Sequence, residues 1–135
     1  CRVRNLCIGR STGQVKFFLN KGRPNAFSLM PDSGAESVSV LCVSLNDLCS
    51  WEKIPRLDYL KIDAEGAEDL ILEGGAASIE RFRPIIQVEV TKARSRLPRG
   101  YRRFSVSKAT NNVFIPSERM GAIETAQSLG WTESN

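Results

Sequence analysis

A strand–helix–strand pattern in the middle of the sequence constrains the fold most. Residues 59–62 form a short apolar segment, and residues 85–90 are apolar and largely β-branched, which is typical of a strand buried on both faces of a parallel sheet. Between them, residues 67–73 have apolar side chains at helical spacing, and a Gly-Gly pair interrupts the pattern before residues 76–82 resume it. Pro84 ends the helical region. The sequence therefore predicts two parallel strands joined by a right-handed crossover.

Flanking segments predict further strands and helices. Strands are predicted over residues 3–8, 14–19, 37–43, 102–106 and 112–115, and a loop over residues 20–36. A helical turn is predicted over residues 44–48, with Ser44 as its N-cap. A helix is predicted over residues 117–129, and Gly130 ends it. The 135 residues make one α/β domain at most. We divide it into strands and a hairpin (1–43), the central strand–helix–strand unit (44–91), and late strands with a terminal helix (92–135).

Acidic residues concentrate in the turn that follows the first central strand. Asp63, Glu65 and Glu68 lie within six residues, and Gly66 between them permits close backbone approach or an unusual φ. In an open parallel sheet, ligands bind beyond the carboxyl ends of the strands. Such carboxylates can hold an ammonium or hydroxyl group, accept a proton, or bind a divalent ion. The alternative is ordinary helix-start chemistry, in which Asp63 caps the helix and the two Glu side chains serve its dipole.

Two more charged residues belong to the same central unit. Glu89 comes at the end of the second strand, so a parallel arrangement places it at the same edge as Asp63. It is either a substrate-facing carboxylate, or an N-cap or partner for Lys92 or Arg94. Lys61 is either buried with a carboxylate partner or directed between helices.

Cysteine and histidine usage excludes several kinds of site. The chain has four cysteines, Cys1, Cys7, Cys42 and Cys49, at irregular spacing, and no histidine. A zinc site with histidine and any Ser–His or Cys–His catalytic arrangement are therefore excluded, and we predict no metal site. Buried, reduced thiols in a cytoplasmic protein are the expected state. The sequence also has no apolar stretch long enough to cross a membrane.

The charge balance favours no single partner. The net charge of +4 is compatible with anionic partners without requiring them. Six basic residues fall within residues 92–103, where a solvated surface is favoured over contacts to an acidic substrate or to nucleic acid.

The order of several short motifs resembles the FkbM family of S-adenosylmethionine-dependent methyltransferases. The resemblance covers roughly residues 5–117 and rests most on Lys61–Glu68, with "LKID-EG-E", and on Arg83–Glu89, with "RP-I--E". Further matches lie at residues 13–17, 44–48, 71–76, 100–101 and 112–116. Asn46 stands where the family pattern has Asp, and we assign it no role.

The resemblance implies a Rossmann-like class I methyltransferase fold and methyl transfer to an oxygen, commonly a sugar or natural-product hydroxyl. It implies catalytic roles for Asp63, Glu65 and Glu89, cofactor contacts for Asp63 and Gly66, and substrate contacts for Lys61 and Glu68. No segment has the form of the Gly-rich loop that cradles the cofactor. We therefore expect the first strands of the sheet to lie upstream of Cys1, and we expect weak binding of S-adenosylmethionine by this chain alone.

Two other functions are consistent with the sequence. The chain is alternatively a non-catalytic interaction module that self-associates through an exposed sheet edge. The third candidate is a small basic nucleic-acid-binding domain, which residues 92–103 alone support. We predict no membrane partner.

Overall fold

Residues 1–19, 27–28, 36–64, 66–89, 97–106 and 111–134 are described by a computed structural model, and within them the chain forms two sheets. The first sheet has four strands, β1 (Cys7–Gly9), β2 (Gly13–Leu19), β3 (Phe27–Ser28) and β4 (Ser37–Ser44), in the order β1-β4-β2-β3. Helix α1 (Leu45–Trp51) follows directly. Its N-cap is Ser44, as predicted, because the Ser44 hydroxyl accepts a 3.0 Å hydrogen bond from the Asp47 amide.

The pairing of the first two strands differs from the expected hairpin. β1 and β2 do not pair with each other, because β4 lies between them, parallel to β1 and antiparallel to β2. β1 is also shorter than predicted and begins at Cys7. The predicted loop over residues 20–36 contains the two-residue strand β3, and its other residues except Glu36 lie outside the described residues.

The second sheet contains the central unit. Its strands are β5 (Tyr59–Ile62), β6 (Ile85–Val88), β7 (Tyr101–Ser105), β8 (Asn112–Pro116) and β9 (Thr132–Ser134), in the order β5-β6-β8-β7-β9. β5 and β6 are parallel, which confirms the predicted pair, and the other pairings are antiparallel. The predicted α/β class with a mixed sheet is confirmed.

Three helices cover this sheet. α2 (Glu68–Gly74) and α3 (Ala76–Phe82) form the crossover, with the predicted break at the Gly-Gly pair. α4 (Met120–Ser128) begins three residues later than predicted, and Gly130 follows it with a φ of 73°. β9 was not predicted, since its three polar residues lack an apolar pattern.

The core lies on both faces of β8, in which all five residues are buried. Phe114 packs with Ile86 of β6 and Leu72 of α2 in one cluster. Val113 and Ile115 point the other way and pack with Ile123 of α4 in a second cluster. Because side chains alternate along a strand, β8 supports a helical layer on each face. The same sheet contains β5 and β6, whose carboxyl ends bear the predicted acidic residues.

Close contacts join the crossover to the backbone of the first sheet and to a side chain of α1. A Cβ added at Gly74 would lie 2.1 Å from the carbonyl oxygen of Gly9, and one at Gly75 would lie 2.6 Å from Cδ2 of Leu45. Both distances are shorter than any real contact, so the Gly-Gly pair is a close packing point as well as a helix break. This contact brings β1 against the end of α2.

Candidate functional site

The turn between β5 and α2 is the structural centre of the candidate site. β5 ends at Ile62, which is 4% exposed and anchors the turn in the core. Gly66 has a φ of 102°, a region that side-chain-bearing residues rarely adopt, so glycine is required there by backbone conformation. Glu65 lies outside the described residues, and its predicted catalytic role stays a prediction.

Glu68 is buried beneath this turn. It is 2% exposed, and its Oε1 accepts hydrogen bonds from the amides of Ala64 at 3.1 Å and Gly66 at 3.2 Å. A buried carboxylate needs such donors, and the amides need an acceptor. Glu68 therefore fixes the turn's backbone, and its predicted contact with substrate stays a prediction.

Asp63 and Lys61 form an exposed ion pair at the end of β5. Lys61 Nζ donates to Asp63 Oδ2 at 2.7 Å, and about half of each side chain is exposed. Residues two apart on a strand share a face, which explains the pairing. The hydrogen bond to Asp63 and its charge raise the pKa of Lys61 above its ordinary value, with smaller contributions from Tyr59 and Glu89. Lys61 therefore pairs with a carboxylate, as one alternative predicted, but the pair is exposed rather than buried.

The interpretation of Asp63 as a helix cap is not supported. The N-cap of α2 is Ala67, which makes no side-chain capping bond, and the described contact of Asp63 is to Lys61. Asp63 is therefore an accessible carboxylate next to the turn, with a cation that orients it.

Glu89 lies at the same edge, as the parallel pairing requires. Ile62 pairs with Val88, so the next residues, Asp63 and Glu89, leave the sheet side by side. Glu89 is half-buried and close enough to Lys61 for its charge to affect the pKa of the ammonium group. Two carboxylates and one ammonium group therefore meet at the carboxyl ends of β5 and β6.

A cavity of about 530 Å³ opens beside the turn. Ala64 and Ala67 contribute to its wall on the turn side. Residues of α2, of the first sheet and of the connection between β1 and β2 form the rest. These residues are Cys7, Ile8, Gly9, Arg10, Ser11, Val15, Phe17, Cys42, Leu70 and Ile71. Its size is in the range of small-molecule sites, which are mostly apolar with a few polar groups. Neither Asp63 nor Glu89 lines the cavity, but Asp63 directly precedes the lining residue Ala64.

The cavity was not anticipated from the sequence. It depends on β1 lying against α2, where Gly74 leaves room for the carbonyl of Gly9. Arg10 on its wall forms an ion pair with Glu73 of α2, a pairing between residues that are remote in sequence.

Other predicted features are only partly visible. Lys92, Arg94 and Arg96 lie outside the described residues. Within the same basic run, Arg102 pairs with Glu133, and Arg103 donates to Asn112 Oδ1 at 2.9 Å. Within the described ranges, no group of three or more cysteine and acidic side chains is arranged to hold a metal ion. The described helices include none that is both long and apolar enough to span a bilayer.

Comparison with known proteins gives one match. Residues 3–113 match the family model described as the methyltransferase FkbM domain. This range contains β5, the acidic turn, the crossover helices and β6. No curated protein and no solved structure gives a significant match.

Proposed function

Because the chain belongs to the FkbM methyltransferase family, we propose that its acidic turn serves methyl transfer to a hydroxyl group of a sugar or natural product. The family implies S-adenosylmethionine as the methyl donor in general. The single observation that carries the proposal is the meeting of Asp63 and Glu89 at the carboxyl ends of two parallel strands, beside a cavity of about 530 Å³.

The residues present fit part of the cofactor. The apolar wall formed by Ala64, Ala67 and Leu70 suits an adenine ring or an aliphatic chain. Asp63 directly precedes the lining residue Ala64, and its exposed carboxylate suits a cationic group. When bound, S-adenosylmethionine supplies an electrophilic methyl carbon on a sulfonium group. Since the sequence shows no Gly-rich cradle, binding by this chain alone is weak.

The protein's own contribution is to hold the acceptor and move one proton. Asp63 accepts a hydrogen bond from the acceptor hydroxyl and takes its proton, while Lys61 keeps the carboxylate in place. Glu89 and Glu65 are further candidates for this role. Orientation of the two reactants provides most of the catalysis in such a reaction.

Glu68 acts through the turn. Its hydrogen bonds to the amides of Ala64 and Gly66 hold the backbone that carries Asp63, so loss of Glu68 displaces the turn. This assignment as a positioning residue is favoured over direct substrate contact because the side chain is 2% exposed.

A nuclear magnetic resonance titration of the full chain with S-adenosylmethionine tests cofactor binding and detects weak complexes. We expect shifts at the amides of Ala64 and Gly66 and at Leu70 and Ile71, with an affinity weaker than micromolar. D63N reduces the response, and E124Q, at an exposed site on α4, leaves it unchanged. Shifts confined to other residues would contradict the proposed site, and micromolar affinity would contradict the expected weak binding.

Methyl transfer is tested with isotope-labelled S-adenosylmethionine and a set of sugars and phenols. Any transfer should fall by about 10²- to 10⁴-fold in D63N if Asp63 is the general base. Equal rates in D63N and the parent chain would remove that role.

A non-catalytic interaction module is the second candidate. In the described residues, β5 pairs only with β6, so its other edge is open, and Tyr59 is half-exposed beside it. An open edge favours association with another strand. Analytical ultracentrifugation at increasing protein concentration tests this candidate. A concentration-dependent dimer that Y59K abolishes would support association through β5.

The cytoplasmic location stays a proposal, supported by the four free thiols. Nucleic-acid binding has less support, because Arg102 and Arg103 already have protein partners.

A further inference from the structure

Two cysteines from distant parts of the sequence face each other on the cavity wall. Cys7 of β1 and Cys42 of β4 are direct partners in the parallel register, and both line the cavity. We propose that they form a dithiol site that is reversibly converted to an intramolecular disulfide by exchange with a small-molecule disulfide such as oxidised glutathione. This inference does not depend on methyl transfer.

The register provides the backbone geometry. Paired residues on neighbouring strands have side chains on the same face, and adjacent strands are about 4.8 Å apart. Disulfides join residues whose Cα atoms are about 4.4–6.8 Å apart. Cys7 and Cys42 therefore have the backbone spacing that a disulfide needs.

The two cysteine side chains are neighbours on the cavity wall. Cys42 is buried with 3% exposure and Cys7 is half-buried, and Cys7 Sγ donates a 3.7 Å hydrogen bond to the carbonyl oxygen of Ile8. Cys42 is also close enough to affect the pKa of Cys7. A Cβ added at Gly9 would lie 2.7 Å from Cys42 Sγ, so the glycine leaves the space that this sulfur occupies. The local sequence thus accommodates both sulfurs on one face of the sheet.

The other two cysteines provide a contrast within the chain. Cys1 is exposed at the first residue, and Cys49 is buried in α1. Neither lines the cavity. The cavity gives a small disulfide access to the pair that it does not give to Cys49.

The chemistry is a balanced exchange. One cysteine thiolate attacks the small-molecule disulfide, which forms a mixed disulfide and releases one small thiolate. The second cysteine, after losing its proton, attacks the protein sulfur of the mixed disulfide and releases the other small thiolate. In sum, one protein dithiol is oxidised and one small disulfide is reduced to two thiols.

The local environment makes this exchange slow at neutral pH. Burial, followed by the hydrogen bond and charge of Cys42, raises the pKa of Cys7 to about 12. Since the thiolate is the reactive form, little of the Cys7 population attacks at any moment. Once formed, the disulfide is also reduced slowly, because a thiol of high pKa is a poor leaving group.

Incubation of the folded full chain with oxidised glutathione, followed by alkylation and mass spectrometry, tests the proposal. We expect a product that has lost two hydrogen atoms and gained no glutathione, with peptide 5–10 joined to the peptide that contains Cys42. Dithiothreitol should restore the original mass. Because Cys42 and Cys49 share one tryptic peptide, C49S is the matched control, and the product should persist in it.

C7S and C42S should each fail to form this product. Each should instead retain one glutathione on the other member of the Cys7–Cys42 pair. Mixed disulfides alone in the parent chain would overturn the proposal. So would a cross-link that involves Cys1 or Cys49, or an absence of reaction in the folded chain under conditions where the unfolded chain reacts.

Discussion

Two junctions of the molecule hold strands and helices together by different means. At the first, the crossover helices meet the first sheet and α1 through glycines, with Gly74 against the Gly9 carbonyl and Gly75 against the Leu45 side chain of α1. At the second, Arg83 connects the end of α3 to the second sheet through its side chain. It donates to both carboxylate oxygens of Glu118, at 2.8 and 3.0 Å, and its guanidinium lies 4.5 Å from the ring centre of Tyr101.

The two junctions should therefore respond differently to amino-acid substitution. The glycine junction depends on the absence of atoms, so a single added methyl group has no room. The Arg83 junction depends on several polar contacts, including bonds to the carbonyls of Arg99 and Gly100, so loss of one contact leaves the others. Close packing therefore holds the junction beside the cavity, whereas polar and charged contacts hold the junction at Arg83.

The largest effect is expected for Gly74→Ala. The added Cβ would lie 2.1 Å from the Gly9 carbonyl oxygen and 2.9 Å from that of Arg10, both of which are backbone atoms. We expect a loss of roughly 2–3 kcal/mol in the free energy of unfolding, measured by chemical denaturation, because overpacking displaces backbone.

Gly121→Ala is the matched control for this change. Gly121 lies in α4, and its added Cβ would meet nothing within 4 Å. The substitution should stabilise the chain by about 0.5–1 kcal/mol, as alanine does in helices. Similar effects of the two substitutions would show that α2 and β1 are not in close contact.

An intermediate effect is expected at Asn46, which also belongs to the first junction. Its Oδ1 accepts a 2.9 Å hydrogen bond from the amide of Ser78 in the first turn of α3. Asn46→Ala should lower the free energy of unfolding by about 1 kcal/mol, since it removes a helix-capping acceptor.

Asn46→Asp sharpens this test. The aspartate keeps the acceptor and places a negative charge at a helix N-terminus, which adds about 0.3–1 kcal/mol. N46D should therefore be at least as stable as the parent chain. If N46D is as unstable as N46A, the bond to Ser78 is not the source of the stabilisation.

The smallest effect is expected at the second junction, for Glu118→Gln. The side chain of Glu118 is 55% exposed, so the pair contributes at most about 1 kcal/mol. The hydrogen bond from Arg83 and the backbone amide of Glu118 lower its pKa from 4.5 to about 2. A lowered pKa stabilises the fold above pH 4.5, and this contribution is lost as the pH falls through about 2.

Urea denaturation across that pH range measures the difference between E118Q and the parent chain. The difference should be present above pH 4.5 and should vanish near pH 2. E124Q, at an exposed position of α4, should stay within about 0.5 kcal/mol of the parent throughout. A difference between E118Q and the parent chain that is independent of pH would exclude the Arg83–Glu118 ion pair as its cause.

The sequence predicted the second sheet better than the first. The apolar run of β6 and the helical spacing of α2 and α3 are local signals, and together with the handedness rule they determined a parallel pair with an acidic edge. The order β1-β4-β2-β3 depends on which distant strand pairs with β1. A short apolar segment indicates that a strand forms but carries no information about its partner.

At the candidate site, positions along the chain were predictable but side-chain directions were not. The edge location of Asp63 and Glu89 follows from strand ends alone. The burial of Glu68 depends on the path of the turn, and the Lys61–Asp63 pair depends on a side chain that lies along the surface. Asn46 had no predicted role, because its partner Ser78 is 32 residues away.

The strand order of the first sheet also determines when that sheet is completed during synthesis. β1 and β2 leave the ribosome before β4, yet β4 lies between them in the finished sheet. β1 and β2 therefore lack their shared partner until β4, which ends at Ser44, has emerged. The assembly of the cavity wall is thus a late, long-range event, whereas the local helix α1 can form as soon as its own residues are available.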